Sequence, residues 1–232
     1  MIDTTAKILL VEDDPTLAFV VKDKLEQSGY EVVYAADGEG AWIQFMKHNF
    51  DMCVLDVMLP RKDGLWLASQ IRLKNDSIPI LLLTSKSMDE DKITGFKSGA
   101  DDYITKPFNI QELLLRIEVF LKRTQKAKEK GPDNLKIGNY IFDYSNMLLV
   151  SDTERKQLTQ READLLYYLV LNPNKVLKRE EILKEVWGKE DYFLGRSMDV
   201  FITKIRKYLK DQPGVELETI HGIGFRFINK AS

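Results

Sequence analysis

Carboxylate, hydroxyl and ammonium side chains stand at the ends of four short apolar segments in the first half of the chain. They are Glu12, Asp13 and Asp14, then Asp56, then Thr84 and Ser85, then Lys106 followed by Pro107. Clustered carboxylates repel one another unless a cation lies among them, and a set of oxygen ligands favours Mg²⁺. A hydroxyl and an ammonium beside an aspartate can bind the oxygens of a phosphoryl group. These residue types predict a site at which Asp56 accepts a phosphoryl group.

The spacing of apolar residues indicates which elements position these side chains. Apolar runs predict strands at residues 8–11, 32–34, 52–55, 80–84 and 102–105. Amphipathic segments predict helices near residues 15–28, 39–47, 65–74, 89–97 and 110–122. Strands that alternate with helices form parallel βαβ units. The predicted fold is therefore α/β, a doubly wound five-stranded parallel sheet whose carboxyl strand ends meet at one edge.

Residues 7–123 resemble the receiver domain of bacterial two-component response regulators, a flavodoxin-like fold. The matching residues, in chain order, are Glu12, Asp13, Asp56, Thr84, Tyr103, Lys106 and Pro107. The resemblance implies that Asp56 is the phosphoacceptor. It also implies a Mg²⁺ site formed by Asp13, Asp56 and the backbone carbonyl of Met58, with Glu12 assisting through water. A solvated acidic edge without chemistry is the competing interpretation.

The resemblance also assigns the residues around the phosphoryl group. Thr84 and Lys106 would bind its oxygens, and Tyr103 would swing inward when Thr84 moves. The Lys106–Pro107 peptide bond is expected to be cis. Ser85 departs from the family, where the position after Thr84 is usually alanine, so the rate of dephosphorylation could differ.

A second implication of the resemblance is a two-fold dimer of phosphorylated receivers. An isologous interface requires self-complementary pairs on one surface. The implied pairs are Lys92 with Glu112, Asp102 with Arg116 and Asp101 with Arg123, and Asp91 lies on the same surface. Taken singly, each of these charges also fits an ordinary solvated face.

Length and composition favour two domains. The predicted receiver covers residues 1–123, a flexible linker rich in charge with Gly131 and Pro132 covers 124–134, and a second domain covers 135–232. Residues 1–123 carry 15 basic and 20 acidic side chains, whereas residues 135–232 carry 16 and 14. This asymmetry hints at a nucleic-acid partner for the second half. The lone Cys53, the absence of an apolar run of about 18 residues and the lack of a signal-peptide pattern predict a cytoplasmic protein.

The second half predicts an α+β domain. Alternating residues between 135 and 158 indicate short antiparallel strands, and Thr159 with Glu162 forms a capping box before a first helix. A second helix is predicted at about 179–187, a third at about 196–210, and a hairpin at 215–227. An apolar stripe on the third helix should face the core, formed by Met198, Ile202, Ile205 and Leu209.

The opposite face of the third helix is basic, and it carries an apolar and a hydroxyl side chain suited to a DNA major groove. Its predicted DNA-binding residues are Arg196, Val200, Thr203, Lys204 and Lys207, with Arg206 on its flank. From this helix alone, an ordinary solvated amphipathic helix is the simpler interpretation. Residues 135–230 as a whole, however, resemble the winged-helix effector domain of the OmpR/PhoB family. The segments on which this resemblance rests are 158–162, 177–187, 196–207 and 221–226.

The winged-helix resemblance places the third helix in the major groove and the hairpin at the minor groove or its phosphates. His221 and Arg226 are the predicted contacts of the hairpin. His221 stands where many relatives have arginine, and a histidine is mostly uncharged near neutral pH, so that contact should be weaker. Phe225 replaces the usual tyrosine, and Phe201 and Thr203 replace polar or basic residues, so the preferred DNA site cannot be taken from relatives.

The sequence thus predicts a response regulator that binds promoter DNA and is phosphorylated on Asp56 by a sensor histidine kinase. RNA polymerase is a further expected partner, and the receiver would assist only its own phosphorylation and dephosphorylation. One alternative is a DNA-binding regulator of the same fold that works without phosphorylation. Another is an enzyme with Asp56 as nucleophile, but no second domain suited to a substrate pocket is predicted, and neither histidine, His48 or His221, is expected near the crevice.

Overall fold

The computed structural model describes residues 5–85, 99–126, 134–187 and 192–230, and for residues 122–126 and 192–197 only the backbone. The chain divides into two compact units, Met1–Gln125 and Lys126–Ser232, which are treated separately below. Among the described helices, none has both the length and the hydropathy needed to cross a membrane.

The first unit is built on a five-stranded parallel sheet with strand order β2-β1-β3-β4-β5. Its strands are β1 (Lys7–Val11), β2 (Glu31–Ala35), β3 (Met52–Asp56), β4 (Ile80–Thr84) and β5 (Asp102–Thr105). Its described helices are α1 (Pro15–Gln27), α2 (Gly38–Lys47), α3 (Gly64–Lys74) and α4 (Ile110–Lys126). The predicted α/β fold is confirmed, and the helix predicted at 89–97 lies outside the described residues.

The local chemistry of the strand ends explains why each strand gives way to a helix. Three helices begin at an aspartate N-cap, Asp14, Asp37 and Asp63, whose carboxylates accept backbone N–H bonds of the first turn. The central strands β3 and β4 are buried along their whole length, as expected for a sheet covered on both faces. The polar side chains at their ends are therefore held by a rigid apolar core.

The end of the first unit lies close to the start of the linker predicted at residue 124. Helix α4 continues to Lys126, so residues 124–126 are helical, and β6 begins at Asn134. Residues 127–133 lie outside the described part of the chain.

The second unit contains two small antiparallel sheets and three helical segments. The first sheet is formed by β6 (Asn134–Ile137), β7 (Tyr140–Asp143), β8 (Leu148–Val150) and β9 (Arg155–Gln157). The helices are α5 (Gln160–Leu171), α6 (Arg179–Ile182), which continues as a π-helical turn over Leu183–Trp187, and α7 (Tyr192–Leu209). The second sheet has the order β10-β12-β11, from β10 (Val176–Lys178), β11 (Val215–Ile220) and β12 (Gly224–Asn229). These elements fit the predicted winged-helix domain.

Two local predictions about this unit are confirmed. Thr159 and Glu162 form the capping box at the start of α5, and the four-residue apolar stripe of α7 is buried. Phe201, noted above as replacing a polar or basic residue of relatives, also lies in the core. It is fully buried, with its ring centroid 5.8 Å from that of Trp187, because an aromatic ring gains more by packing in the core than at a wet surface.

Candidate functional site

Three carboxylates meet at the carboxyl edge of the parallel sheet, where β1 and β3 end side by side. Oxygen atoms of Glu12, Asp13 and Asp56 all lie within 4.8 Å of one another. Glu12 is fully buried and Asp56 is 3% exposed, whereas Asp13 faces solvent. A compact set of oxygen donors with one open side fits Mg²⁺, which keeps several of its waters when protein carboxylates bind it. The residues predicted from the sequence therefore form a suitable metal site.

Lys106 supplies the positive charge of this site. Its ammonium lies 2.7 Å and 2.8 Å from the two carboxylate oxygens of Glu12 and 2.5 Å from Oδ2 of Asp56. Burial lowers the pKa of Lys106, but the hydrogen bonds and charges of Asp56 and Glu12 outweigh it and raise that pKa. Burial also raises the pKa of Glu12, against the opposing influence of Lys106. The ammonium is thus held charged between two buried acids.

Hydrogen bonds to both carboxylate oxygens fix the orientation of the Asp56 side chain. Oδ1 accepts a hydrogen bond of 2.8 Å from the backbone N–H of Met58, and Oδ2 accepts the bond from Lys106. The turn after β3 is closed by the backbone N–H of Gly64, which donates to the carbonyl of Val57 at 3.0 Å. The carboxylate is consequently presented to the crevice by the sheet rather than by a mobile loop.

Gly64 packs too closely against this turn to be replaced by a larger residue. A Cβ atom at position 64 would lie 2.0 Å from the carbonyl oxygen of Asp56, so the backbone would have to shift. We expect Gly64→Ala to lower the unfolding free energy by about 1–3 kcal/mol, the usual cost of overpacking. Denaturant unfolding measures this change. Gly40→Ala is the matched control, since its Cβ would meet nothing closer than a side chain at 3.4 Å, and an equal loss in both variants would contradict the explanation.

Thr84 ends β4, the strand beside β3, and Tyr103 lies on β5 opposite Leu82, two residues before the end of that strand. Thr84 is buried at the end of β4, and its carbonyl accepts a 2.7 Å bond from the backbone N–H of Lys106. Ser85, the residue after it, is exposed, and Tyr103 is buried. The Lys106–Pro107 peptide bond is cis, as predicted. The structure thus places Asp56, Thr84 and Lys106 at one edge of the sheet, with Tyr103 further back on β5.

The charges predicted to form a dimer interface have contacts within the protomer. Arg116 binds Asp102 at 2.6 Å and Glu112 at 2.8 Å, both through guanidinium nitrogens. Asp101 is fully buried and accepts hydrogen bonds from the guanidinium of Arg72 and from the backbone N–H of Ile80. This geometry argues against the predicted pairing of Asp101 with a partner subunit. Asp91, Lys92 and the side chain of Arg123 lie outside the described residues.

The face of α7 that the sequence predicts to bind DNA differs in exposure from residue to residue. Thr203 and Lys207 are exposed and Val200 is partly exposed, whereas the side chain of Arg196 is outside the described residues. His221 is exposed at the tip of the β11–β12 hairpin, the wing of this unit. These positions agree with a surface available to DNA.

Three cations assigned to DNA instead contact other side chains or backbone of the same unit. Lys204 lies 3.1 Å from the buried carboxylate of Glu162. Arg226 pairs with Glu218 at 2.6 Å across the hairpin. Arg206 donates hydrogen bonds to strand β11. The assignment of these three cations to DNA stays a prediction, and each of them also has a contact within its own unit.

One residue that joins the elements of this unit escaped the sequence prediction. Arg179, at the start of α6, binds both carboxylate oxygens of Asp199 on α7 at 2.9 Å. Its guanidinium carbon also lies 5.3 Å from the ring centroid of Phe225 in the wing. The two ends of the ion pair are 20 residues apart, so no helical spacing could have predicted it.

Both units match known families. Residues 8–118 match the response regulator receiver domain, and residues 153–227 match the family described as transcriptional regulatory protein, C terminal. The chain is 44% identical over 226 residues to the transcriptional regulatory protein RprY of Bacteroides fragilis, covering 97% of this chain and 96% of the relative. It is 33% identical over 234 residues to the transcriptional regulatory protein SrrA of Staphylococcus aureus, covering 97% of each.

Solved structures extend the similarity over nearly the whole chain. The response regulator DrrB of Thermotoga maritima, described as an OmpR/PhoB homolog, has 33% sequence identity and a TM-score of 0.51, with 97% of this chain and 99% of that chain covered. A mutant form of RitR has 25% identity and a TM-score of 0.72, with 96% and 98% covered. The chain therefore belongs to the response regulators that join a receiver domain to a DNA-binding transcriptional regulatory domain of the OmpR/PhoB type.

Proposed function

We propose that phosphorylation of Asp56 by a sensor histidine kinase controls the binding of promoter DNA by the second unit. The observation that carries the proposal is the buried carboxylate of Asp56, held between Lys106 and two further acids at the carboxyl edge of the sheet. A buried acid that only stabilised the fold would not need a second and a third carboxylate beside it, because such clustering costs free energy. The protein is a two-component regulator, so a phosphoryl acceptor is the role that accounts for this cost.

The chemistry proposed for the site is phosphoryl transfer to a carboxylate. An oxygen of Asp56 forms a bond to phosphorus while the bond between phosphorus and the nitrogen of the kinase's phosphohistidine breaks, leaving an acyl phosphate and a neutral imidazole after proton uptake. Mg²⁺ held by Asp13, Asp56 and the carbonyl of Met58, with Glu12 assisting through water, would neutralise charge on the phosphoryl oxygens. Lys106 holds an ammonium beside the acceptor oxygen throughout.

Thr84 and Tyr103 provide the proposed link from phosphorylation to the surface of the first unit. The hydroxyl of Thr84 would donate a hydrogen bond to a phosphoryl oxygen, and its movement would make room for the ring of Tyr103. Thr84 ends β4, and Tyr103 lies on β5 beside Asp102, which binds Arg116 on α4. We propose that this surface forms a two-fold dimer in which Asp102, Arg116 and Glu112 exchange their present contacts for contacts with a second copy.

The second unit is proposed to bind DNA through α7 and the wing. Val200 and Thr203 offer methyl groups and a hydroxyl to base edges, and Lys207 offers a cation to phosphates. A dimer would place two such helices on one DNA and add their phosphate contacts, which raises affinity steeply at a given salt concentration.

Lys207 tests the DNA-binding face. We expect Lys207→Met to weaken DNA binding and to reduce the slope of log affinity against log salt concentration by about one, because one phosphate contact is lost. Binding to a duplex selected from a random pool by the wild-type chain, titrated over salt concentration, measures both quantities. Lys47→Met, an exposed lysine of α2 in the first unit, is the control. An unchanged slope for Lys207→Met would remove α7 from the interface at this position.

A further inference from the structure

Arg206 joins α7, the proposed DNA-recognition helix, to the wing. Its Nε donates a 2.8 Å hydrogen bond to the carbonyl of Leu217, and its Nη2 donates a 2.6 Å bond to Oγ1 of Thr219. Both acceptors lie on β11, which pairs only with β12 among the described strands. The guanidinium therefore satisfies an acceptor on the open edge of the sheet, where the backbone would otherwise depend on water.

A second guanidinium contacts the wing from α6. The ring centroid of Phe225 on β12 lies 6.0 Å from the guanidinium carbon of Arg206 and 5.3 Å from that of Arg179. Arg179 is itself held by both oxygens of Asp199 on α7. Phe225 is fully buried, so the ring side of each contact is shielded from solvent, while the side chain of Arg179 is 35% exposed. The two arginines attach both strands of the hairpin to the same helix.

We infer that Arg206 is a positioning residue for DNA binding, which fixes the wing relative to the recognition helix, rather than a cation reserved for a phosphate. The inference rests on the proposed DNA-binding role of α7 and the wing. Two elements that must contact adjacent grooves bind more tightly when their relative position is set before binding, since less conformational freedom is lost. The hydrogen bonds from Arg206 to β11 would set the position of the wing relative to α7 before DNA binds.

The decisive substitution is Thr219→Val, which removes the Oγ1 acceptor while it keeps the shape of the side chain and every cation of the unit. If Arg206 positions the wing, DNA affinity falls by about fivefold, the usual consequence of losing one hydrogen bond. If Arg206 is instead a phosphate contact, the same change frees its guanidinium, and affinity is unchanged or higher. Thr219→Ser keeps the hydroxyl and is expected to restore wild-type affinity.

A double-mutant cycle separates this role from a direct DNA contact by Thr219 itself. Arg206→Met and Thr219→Val are combined, and affinity for the selected duplex is measured over salt concentration. The positioning role predicts that the double variant binds no more weakly than the weaker single variant, and that Arg206→Met leaves the salt slope unchanged. Additive losses, or a slope reduced by about one in Arg206→Met, would overturn the inference.

A measurement without DNA keeps the inference independent of the proposed function. Amide hydrogen exchange of the full chain is expected to be faster in β11 and β12 of Thr219→Val than in the wild type, with α5 and the first unit unchanged. Equal rates of amide exchange in the hairpins of the variant and the wild type would contradict the positioning role. Faster exchange together with a wild-type chain that binds no DNA would instead refute the proposed function and leave the contact of Arg206 with the wing established.

Discussion

Asp56→Asn is expected to reduce phosphoryl incorporation from a small phosphodonor to background. The amide is nearly isosteric and can still accept the hydrogen bond from the N–H of Met58. It lacks the anionic oxygen that attacks phosphorus, so the loss is chemical rather than structural. Mass spectrometry of the intact chain after incubation with acetyl phosphate and Mg²⁺ measures the effect as the fraction of chains that gain one phosphoryl group.

Asp76→Asn is the matched control for this substitution. Asp76 is exposed in the same unit, and its backbone carbonyl rather than its carboxylate accepts a bond from Arg72. Incorporation should therefore equal that of the wild type. Continued incorporation in Asp56→Asn at the wild-type level would place the acceptor elsewhere and refute the proposed chemistry.

Lys106→Met is expected to lower the unfolding free energy of the first unit by about 2–4 kcal/mol. The substitution leaves the buried carboxylates of Glu12 and Asp56 without the cation that lies between them. Removing one partner of a buried ion pair typically costs about 3–5 kcal/mol, and the value expected here is somewhat lower because the ammonium of Lys106 keeps part of its solvent exposure. Urea unfolding in a Trp187→Phe background measures it, since Trp42 and Trp66 then report on the first unit alone.

A control substitution, Lys22→Met, and added Mg²⁺ provide two further tests of the effect expected for Lys106→Met. Lys22→Met removes an exposed ammonium 3.6 Å from Glu26 and should change stability by no more than about 0.5 kcal/mol. Added Mg²⁺ should stabilise Lys106→Met more than the wild type, because the cation binds a site that has lost its internal positive charge. Equal stability of Lys106→Met and Lys22→Met would show that Lys106 does not compensate the buried acids.

The sequence predicted those features that follow from local pattern. Apolar runs that end in polar residues located β1, β3, β4 and β5 to within about a residue, and the amphipathic segment at 15–28 located α1. Because parallel strand ends meet at one edge, the same pattern predicted that Glu12, Asp13, Asp56, Thr84 and Lys106 come together. Residues 94 positions apart, such as Glu12 and Lys106, are then neighbours as a consequence of sheet topology.

The features that escaped prediction are side-chain partners between elements of different type. Helical spacing showed that Lys204 and Arg206 are turned away from the apolar stripe of α7, but it carries no information about Glu162 on α5 or Thr219 on β11. Phe201 shows the same limit, since a residue beside the stripe lies in the core or at the surface according to what packs against it. Such contacts depend on three-dimensional packing, and only the structure reveals them.

The central claim is that phosphorylation of Asp56 controls DNA binding, and one affinity measurement tests it most directly. Binding of the wild-type chain and of Asp56→Asn to the selected duplex is compared with and without beryllofluoride, with Mg²⁺ present and the salt concentration fixed. The proposal predicts a rise in affinity for the wild type that Asp56→Asn lacks. Equal, tight binding in all four conditions would contradict it and would favour a regulator of the same fold that binds DNA without phosphorylation.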